Sequence, residues 1–420
     1  MKSKITYSIF FLSILVFILS CSEKNKYTPV VHQVSQNDSV LIINLDEIED
    51  GKYGYTSSFF KKAVPIILES HDDALIGEVK RLIVSESYIF ILDAKQGKGV
   101  FVFDKEGAFV RKIGRIGEGP GEYLNPSDFT INPDSGFVYI LDKELQKINT
   151  FRISDGDFLS SVKMQNDSVK SFYIQYYEGK LYSDANHVSD TGNDYMLQEI
   201  DINTGKQVSR WLETSRYSHG FTNSIAGNVN VGNPFHLLSN SLSFVSFFMD
   251  TIISIGNDGL KHYIAVDSKD FMTHNDISLF KKDGIIDAQF IMDIGMGLEN
   301  KIYSIREFYE CSNFLHFVYV QGNSNVSLIY DKNDCSVKKY SVIFDDLVCK
   351  IDLGNRKLGL PALMRDSGSE GVYGCIDGDY LLHLQSIIQS DGLNLPEEDV
   401  EKLKGLTEDS NPVLFYYEYK

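Results

Sequence analysis

The glycine-rich stretch GRIGEGPGEYLNP, residues 114–126, has the residue type that cradles phosphate groups in nucleotide-binding loops. A P-loop needs a lysine and a hydroxyl directly after its last glycine, whereas Gly121 is followed by Glu122 and Tyr123. A dinucleotide-binding loop opens a helix, which Pro120 and the residues after it do not. Because the carboxylate of Glu122 would also repel an anion, the stretch predicts a structural loop.

Metal and nucleophile patterns are sparse along the chain. The nine histidines show no HExxH or HxH spacing. There is no Gly-x-Ser-x-Gly nucleophile elbow, and the Asp-Gly pairs lack the rest of a calcium loop. Segments distant in sequence can still supply metal ligands together, so calcium or zinc stays open. No cofactor and no metal ligand are predicted.

The N-terminus has the pattern of a secretory signal peptide over residues 1–20, with two lysines followed by a short apolar run. Ile18-Leu19-Ser20-Cys21 resembles a bacterial lipobox, which implies cleavage before Cys21 and acylation of that residue. Lipid chains would then anchor the protein to a membrane without a transmembrane helix. An ordinary signal peptide with an incidental cysteine is the alternative. Residues 21–38 are interpreted as a lipid-anchored tether and residues 39–420 as one globular domain.

The chain is strongly acidic, and loss of two lysines with the signal takes its formal charge from −18 to −20. Such a surface disfavours nucleic acid as a partner. Besides Cys21, the chain has four cysteines in its C-terminal third, at positions 311, 335, 349 and 375. In an exported protein they can form up to two disulfides with three possible pairings, or remain buried free thiols.

A repeat organises the chain. Residues 86–114 align with residues 135–164 at a shift of 49, which superimposes FILD at 90–93 on YILD at 139–142. A period of 40 to 50 residues is typical of propellers and solenoids. The repeated runs are rich in aromatic and β-branched residues and are separated by glycine turns, as in β-hairpins. Each unit therefore predicts about four antiparallel strands, the content of one propeller blade.

Weaker copies of the unit bring the count to six blades, with seven as the alternative. The last blade, which ends in VLFYYEY at residues 413–419, is short of an outer strand. An early strand at residues 63–68 could complete it, and joining both termini in one blade would remove exposed sheet edges. The sequence thus predicts an all-β, six-bladed β-propeller closed by its N- and C-terminal strands. The loop at 114–126 would cross from the rim of one blade to the centre of the next, using positive φ angles at glycine.

Residues 117–126 resemble the connector G-x-G-x-G-x-F/Y-x-x-P of NHL-type propellers, whose aromatic residue packs between blades. More broadly, the chain resembles the six-bladed β-propeller lipoproteins of Bacteroides-like bacteria over nearly its whole mature length. The matching parts are the lipobox and residues 64–84, 113–123 and 409–420. This resemblance implies the fold and a location in the cell envelope, at the outer membrane facing the periplasm or the surface. It implies no biochemical activity. The connector residues are Gly114, Gly117, Gly119, Gly121, Glu122 and Tyr123.

Ligand contacts in propellers usually come from loops over one face of the ring. The two longest connectors are residues 213–235 and 345–371, and an arginine there could hold a carboxylate or sulfate. Solvated loop charge is the alternative. The sequence favours a binding module for an envelope protein, glycan or peptide. The two alternative functions are a divalent-metal-dependent lyase or hydrolase with a funnel site, and a structural subunit of an envelope complex. The candidate ligand-binding residues are Arg216, His219, Arg356 and Arg365.

Overall fold

The computed structural model describes residues 29–32, 34, 40–165, 169–187, 194–220, 232–238, 241–278, 300–351, 364–368, 370–407 and 409–420. The predicted fold is confirmed, because these residues form six antiparallel blades in a ring. In five of the six pairs of neighbouring blades the first strands contact each other, and the first strands line a central channel. No helix in the described residues has the length and apolar character needed to cross a membrane.

The N-terminal part of the chain supplies an outer strand to each of four successive blades. Strands β1 (Val30–Val31), β2 (Leu41–Asn44) and β3 (Asp50–Tyr55) add parallel fifth strands to the third, fourth and fifth blades. Strand β4 (Phe60–Ile67) pairs antiparallel with the C-terminal strand and completes the sixth blade, as predicted for residues 63–68. Val30 and Val31 belong to the stretch interpreted from the sequence as a tether. The chain therefore joins the propeller before residue 39.

The blades follow one another in chain order. Blade 1 consists of β5 (Arg81–Val84), β6 (Ile89–Asp93), β7 (Gly99–Phe103) and β8 (Phe109–Ile113). After the short pair β9 (Arg115–Ile116) and β10 (Glu122–Tyr123), blade 2 consists of β11 (Pro126–Asn132), β12 (Phe137–Asp142), β13 (Lys147–Arg152) and β14 (Phe158–Lys163). Besides the short pair β15 (Val169–Lys170) and β18 (Asn186–His187), blade 3 contains β16 (Ile174–Tyr177), β17 (Lys180–Asp184), β19 (Tyr195–Ile200) and β20 (Gln207–Glu213).

Blade 4 consists of β21 (Phe235–Leu237), β22 (Leu242–Phe244), β23 (Thr251–Gly256) and β24 (Gly259–Asp267). Blade 5 consists of β25 (Ile302–Glu310), β26 (Phe314–Gln321), β27 (Ser324–Asp331) and β28 (Val337–Phe344). Blade 6 consists of β29 (Met364–Ser367), β30 (Gly371–Ile376), β31 (Val413–Tyr419) and the N-terminal β4. The helices are α1 (Thr214–Tyr217), α2 (His274–Ser278), α3 (Gly378–Gln389) and α4 (Glu397–Lys404), with 3-10 turns at Leu45–Glu47 and Thr56–Ser58.

A buried aspartate ends the second strand of each of the first three blades and holds the connector that enters that blade. The carboxylate of Asp93 accepts the backbone N–H of Gly77 at 2.8 Å, and that of Asp142 accepts the N–H of Leu124 at 2.7 Å. Asp184 does the same in blade 3. Because an unpaired buried carboxylate is costly, this repeated bond fixes where each connector reaches the channel. We call the side of the ring that carries these connectors the connector face.

The four cysteines in the C-terminal third of the chain are free thiols in the structure. Cys311, Cys349 and Cys375 are buried, whereas Cys335 is exposed. Burial raises the pKa of the Cys311 thiol above its ordinary value. Of the two possibilities that the sequence left open, the structure therefore shows free thiols and no disulfide.

Candidate functional site

An arginine on the inner strand of blade 1 reaches across the central channel to blades 2 and 3. Arg81 begins the first strand of blade 1, and its side chain is only 10% exposed. Its Nη1 donates to the Asp128 carboxylate at 2.5 Å and to the carbonyl oxygen of Ile174 at 3.0 Å. Its Nη2 donates to the side-chain oxygen of Gln175 at 2.5 Å. A single guanidinium therefore joins the inner strands of blades 1, 2 and 3.

Asp128 is the partner charge of Arg81. It lies in the inner strand of blade 2 and its side chain is 1% exposed. Besides Arg81, the same carboxylate oxygen accepts the backbone N–H of Ile174 at 2.8 Å. A buried carboxylate is tolerated only with such compensation, so the pair and its hydrogen bonds form one interdependent unit.

Blades 4 and 6 add two more ionisable groups to the channel. His236 is in the inner strand of blade 4, and its Nε2 is buried without a hydrogen-bond partner among the described residues. Burial, together with the positive charge of Arg81, lowers the pKa of His236 to about 3. Asp366, from blade 6, accepts the N–H of Val84 at 2.7 Å, and burial raises its pKa to about 6. We call Arg81, Asp128, Gln175, His236 and Asp366 the channel cluster.

The residues of the channel cluster lie on the first strands of blades 1, 2, 3, 4 and 6. Its central group is a guanidinium whose positive charge opposes the binding of a further cation. Nowhere in the described ranges do three or more histidine, cysteine, aspartate or glutamate side chains come close enough together to hold a metal ion. What the cluster can do is position the inner strands relative to one another, because its hydrogen bonds connect groups from different blades.

Two small cavities lie on the connector face beside the channel cluster. Each has a volume of about 10 Å³, which is the space needed for one water molecule. Neither can hold a sugar, a peptide or a metabolite without rearrangement of its walls. Ser246 and Phe247 border both, together with Tyr173, Ser304 and Arg306 in one and Asp184, Asn186 and Thr214 in the other.

Asp184, which borders one of these cavities, makes the free energy of unfolding depend on pH. Its carboxyl accepts the N–H groups of Phe172 and Tyr173, each at 2.8 Å, and the amide of Asn186 at 2.6 Å. Burial nevertheless raises the pKa of Asp184 to about 7. The folded protein therefore keeps this proton up to about pH 7, whereas an unfolded aspartate releases it near pH 4.

We expect Asp184→Asn to remove one part of the pH dependence of stability. In the unsubstituted protein this group makes the free energy of unfolding fall as pH rises from about 4 to 7, by up to about 1.4 kcal/mol per pH unit. The unfolding free energy of the unsubstituted protein minus that of the variant should thus be smaller at pH 7 than at pH 5. Urea denaturation at the two pH values measures it, and a difference that does not change with pH would contradict the assignment.

Of the four predicted ligand-binding residues, the structure describes the side chains of Arg216 and His219. Arg216 lies in α1 with its guanidinium 5.4 Å from the ring centre of Tyr217. His219 follows α1 with a φ of 55°, and its carbonyl oxygen lies 3.3 Å from Nδ1 of His274. Arg356 lies outside the described residues. Arg365 belongs to β29, but its side chain lies outside the described part of the chain. Arg216 and His219 share no described partner, and a ligand site at these four residues stays a prediction.

The glycine-rich connector joins blades 1 and 2. Gly114, Gly117 and Gly121 have φ angles of 71°, 154° and 76°. Glu122 folds back within the loop, accepting the N–H of Gly119 at 2.8 Å and Nε of Arg115 at 2.7 Å. The loop is therefore closed by its own carboxylate. These bonds also hold the pKa of Glu122 below its ordinary value.

Tyr123, which ends this connector, is completely buried in the core between blades 1 and 2. Its hydroxyl donates to the carbonyl oxygen of Ile113 at 3.0 Å. A Cβ atom on Gly114 would lie 2.4 Å from the Tyr123 ring, so the glycine leaves the space that the ring occupies. Tyr123 and Gly114 therefore pack closely against each other at the boundary between blades 1 and 2.

A groove lies on the rim between blades 4 and 5, with a volume of about 700 Å³. We call it the rim groove. One side is β2 with the turn after it, and the other is the beginning of β28. Ile42 on the first side is 70% exposed, an unusual degree for an isoleucine. Strand β2 is also the edge of its sheet, pairing only with β24 among the described strands.

The charges of the rim groove are mainly acidic. Glu47, Glu49 and Asp50 lie along it. Of the two lysines opposite, Lys339 is nearly buried and is held by Asp50 at 2.9 Å and by the carbonyl oxygen of Leu45 at 3.1 Å. Lys338 is exposed. The groove therefore combines an apolar wall, an open strand edge and an excess of carboxylates.

One family model, a domain of unknown function named DUF4934, matches residues 24–418. The chain belongs to this family. The match spans all six blades and the N-terminal strands, so the family is defined by the whole propeller. No protein with a curated description matches the sequence.

Solved structures similar to this DUF4934 protein are propellers. The crystal structure of a candidate exported protein of Bacteroides fragilis superposes with a TM-score of 0.69 at 18% identity, covering 91% of this chain and all of the other. A member of the DUF4221 family from Bacteroides vulgatus has a TM-score of 0.48 at 10% identity, covering 86% of this chain and 97% of that one. At 18% identity the first similarity shows the fold alone.

Proposed function

We propose that this DUF4934 propeller is a lipid-anchored binding module of the cell envelope that binds an extended, basic segment of a partner protein in the rim groove. The observation that carries the proposal is the groove itself. It is about 700 Å³ in volume, whereas the cavities beside the channel cluster hold one water each. Acylation of Cys21 supplies the anchor, and the similarity to a candidate exported protein of Bacteroides fragilis supports an envelope location.

The chemistry of the groove favours a polypeptide in extended conformation. Strand β2 presents an open edge, and an added strand there would gain main-chain hydrogen bonds. The propeller already accepts added strands on its rim, because its own N-terminal segment pairs in this way with blades 3, 4 and 5. Exposed Ile42 favours apolar side chains in the added strand, and the excess of carboxylates favours lysine or arginine.

Peptide binding should be measurable as stabilisation of the mature chain, produced without the acylated cysteine so that it begins at Ser22. The probe is a decapeptide of alternating valine and lysine, with a valine–glutamate decapeptide as the charge control. At 100 times its dissociation constant, the basic peptide should raise the free energy of unfolding by about 2.7 kcal/mol. The acidic peptide should raise it less, because the carboxylates of the groove repel it.

Matched variants locate the binding surface. Ile42→Asp should abolish the stabilisation by the basic peptide, whereas Leu159→Asp should leave it unchanged. Leu159 is a suitable control because it is also an exposed apolar residue of an edge strand, in blade 2. If neither peptide stabilises the chain, or if stabilisation survives Ile42→Asp, the rim groove is not the binding site. Stabilisation by calcium or zinc that EDTA reverses would favour a metal-dependent enzyme instead.

A further inference from the structure

The chain is fixed to blade 3 from residue 30 onward. Val30 and Val31 pair with Ser209 and Arg210 of β20. The N–H of His32 donates to the carbonyl oxygen of Arg210 at 3.2 Å. The imidazole of His32 stacks on the Trp211 ring, with ring centres 5.2 Å apart and planes inclined by 19°. The path from the N-terminus therefore reaches the propeller at the rim of this blade.

The distance from the proposed lipid to this point is short. Val30 lies nine residues after Cys21. A chain of that length spans at most about 30 Å even when it is fully extended. An acylated Cys21 lies at the membrane surface, so the rim of blade 3 cannot move farther from the headgroups than that.

We infer that blade 3 is the membrane-proximal blade of the propeller and that its edge strand β1 faces the lipid surface. This inference rests on the proposed lipid anchor at Cys21. The side chains at that edge suit an uncharged interface, because Val30 is 51% and Val31 is 46% exposed. The net charge of the protein does not favour an anionic surface, so the anchor and these apolar side chains, not electrostatic attraction, determine the orientation.

Blade 6 is the membrane-distal blade in this arrangement. In a ring of six, blade 6 lies opposite blade 3. Its outer strand β4 carries Lys61 and Lys62, which form ion pairs of 2.8 and 3.2 Å with Glu418. The rim groove lies between these two extremes. A partner can therefore reach it without displacing the protein from the membrane.

Fluorescence energy transfer from the protein to labelled lipid tests the orientation of the propeller on the membrane. The full chain is expressed with its signal peptide in a bacterium that acylates lipoproteins. The background is Cys335→Ser, because Cys335 is the exposed member of the described cysteines. A donor fluorophore is attached at Val31→Cys or at Lys62→Cys. The protein is placed in phosphatidylcholine vesicles with rhodamine-labelled phosphatidylethanolamine as acceptor. Transfer from position 31 should exceed transfer from position 62 several-fold. Equal transfer, or more from position 62, would overturn the inference.

Two further variants separate the failure modes. Cys21→Ala should lose palmitate incorporation and membrane retention; if it keeps both, the anchor and the inference both fail. If palmitate is incorporated but the two labels transfer equally, the orientation fails and the anchor stands. Insertion of twenty glycine and serine residues after Lys26 should reduce the difference between the labels, because it lengthens the tether. Peptide binding by the mature chain is independent of all three results.

Discussion

Asp128→Ala is expected to lower the free energy of unfolding by about 3–5 kcal/mol, because it leaves the charge of Arg81 buried without its partner. Arg81 is 10% exposed and Asp128 1% exposed, so water reaches neither charge well. The substitution also removes the acceptor for the N–H of Ile174. Urea denaturation of the mature chain measures the loss as a lower transition midpoint with an unchanged m-value.

The control is a variant in which both charges are absent. Arg81→Met combined with Asp128→Leu should recover most of the stability, because a buried ion pair replaced by apolar residues of similar volume is often neutral. A loss of less than about 1 kcal/mol in Asp128→Ala would mean that water solvates Arg81, since exposed ion pairs contribute no more than that. Full stability loss in the double variant would mean that Gln175 and Ile174 depend on the guanidinium itself.

The same variants decide whether the channel cluster takes part in binding. If Asp128→Ala folds and the valine–lysine peptide still stabilises it by the same amount, the cluster acts on stability alone. Loss of that stabilisation in a folded variant would instead connect the channel to the rim groove. The two regions share no described hydrogen bond, so we expect the first result.

The parts of the fold that the sequence predicts correctly are those with local patterns. Blades 1 and 2 can be recognised because each places four strands within about 35 residues, with glycine turns between them. Strand β4 can be predicted because the last blade lacks an outer strand. Strands β1 to β3 escape recognition, since two to six residues carry little pattern and their partners lie some 180 to 290 residues farther along the chain.

The same limit applies to the site residues. The connector from Gly114 to Tyr123 shows itself because glycine and aromatic residues follow each other at short spacing. Asp128 and Gln175 lie 47 and 94 positions after Arg81. Each of the three residues, taken alone, looks like a polar residue in a strand. Their shared position could have identified them, because each residue stands near the start of the first strand of its blade. The sequence favours Arg216 and His219 because they lie on a long loop. A position on a loop does not determine where a side chain points.

Tyr123→Ala should also cost about 3–5 kcal/mol of unfolding free energy, the range observed when a large buried aromatic side chain is truncated. Tyr123 is completely buried between blades 1 and 2, where no other side chain can fill its space without moving a blade. Tyr123→Phe is the matched control. It removes only the hydrogen bond to Ile113, so it should cost about 0.5–1.5 kcal/mol. Equal losses in the two variants would show that the hydroxyl, and not the packing, matters.

A double-variant cycle tests whether Gly114 exists to make room for that ring. Gly114→Ala alone should be destabilising, since the new Cβ would lie 2.4 Å from the ring and the residue has a φ of 71°. In the Tyr123→Ala background the clash with the tyrosine ring is gone, and what remains is the strain of a positive φ and a contact of 3.2 Å with Phe151. The cost of Gly114→Ala should therefore be smaller there, and the two losses should not add. Additive losses would mean that the glycine serves the backbone turn alone, independently of the tyrosine.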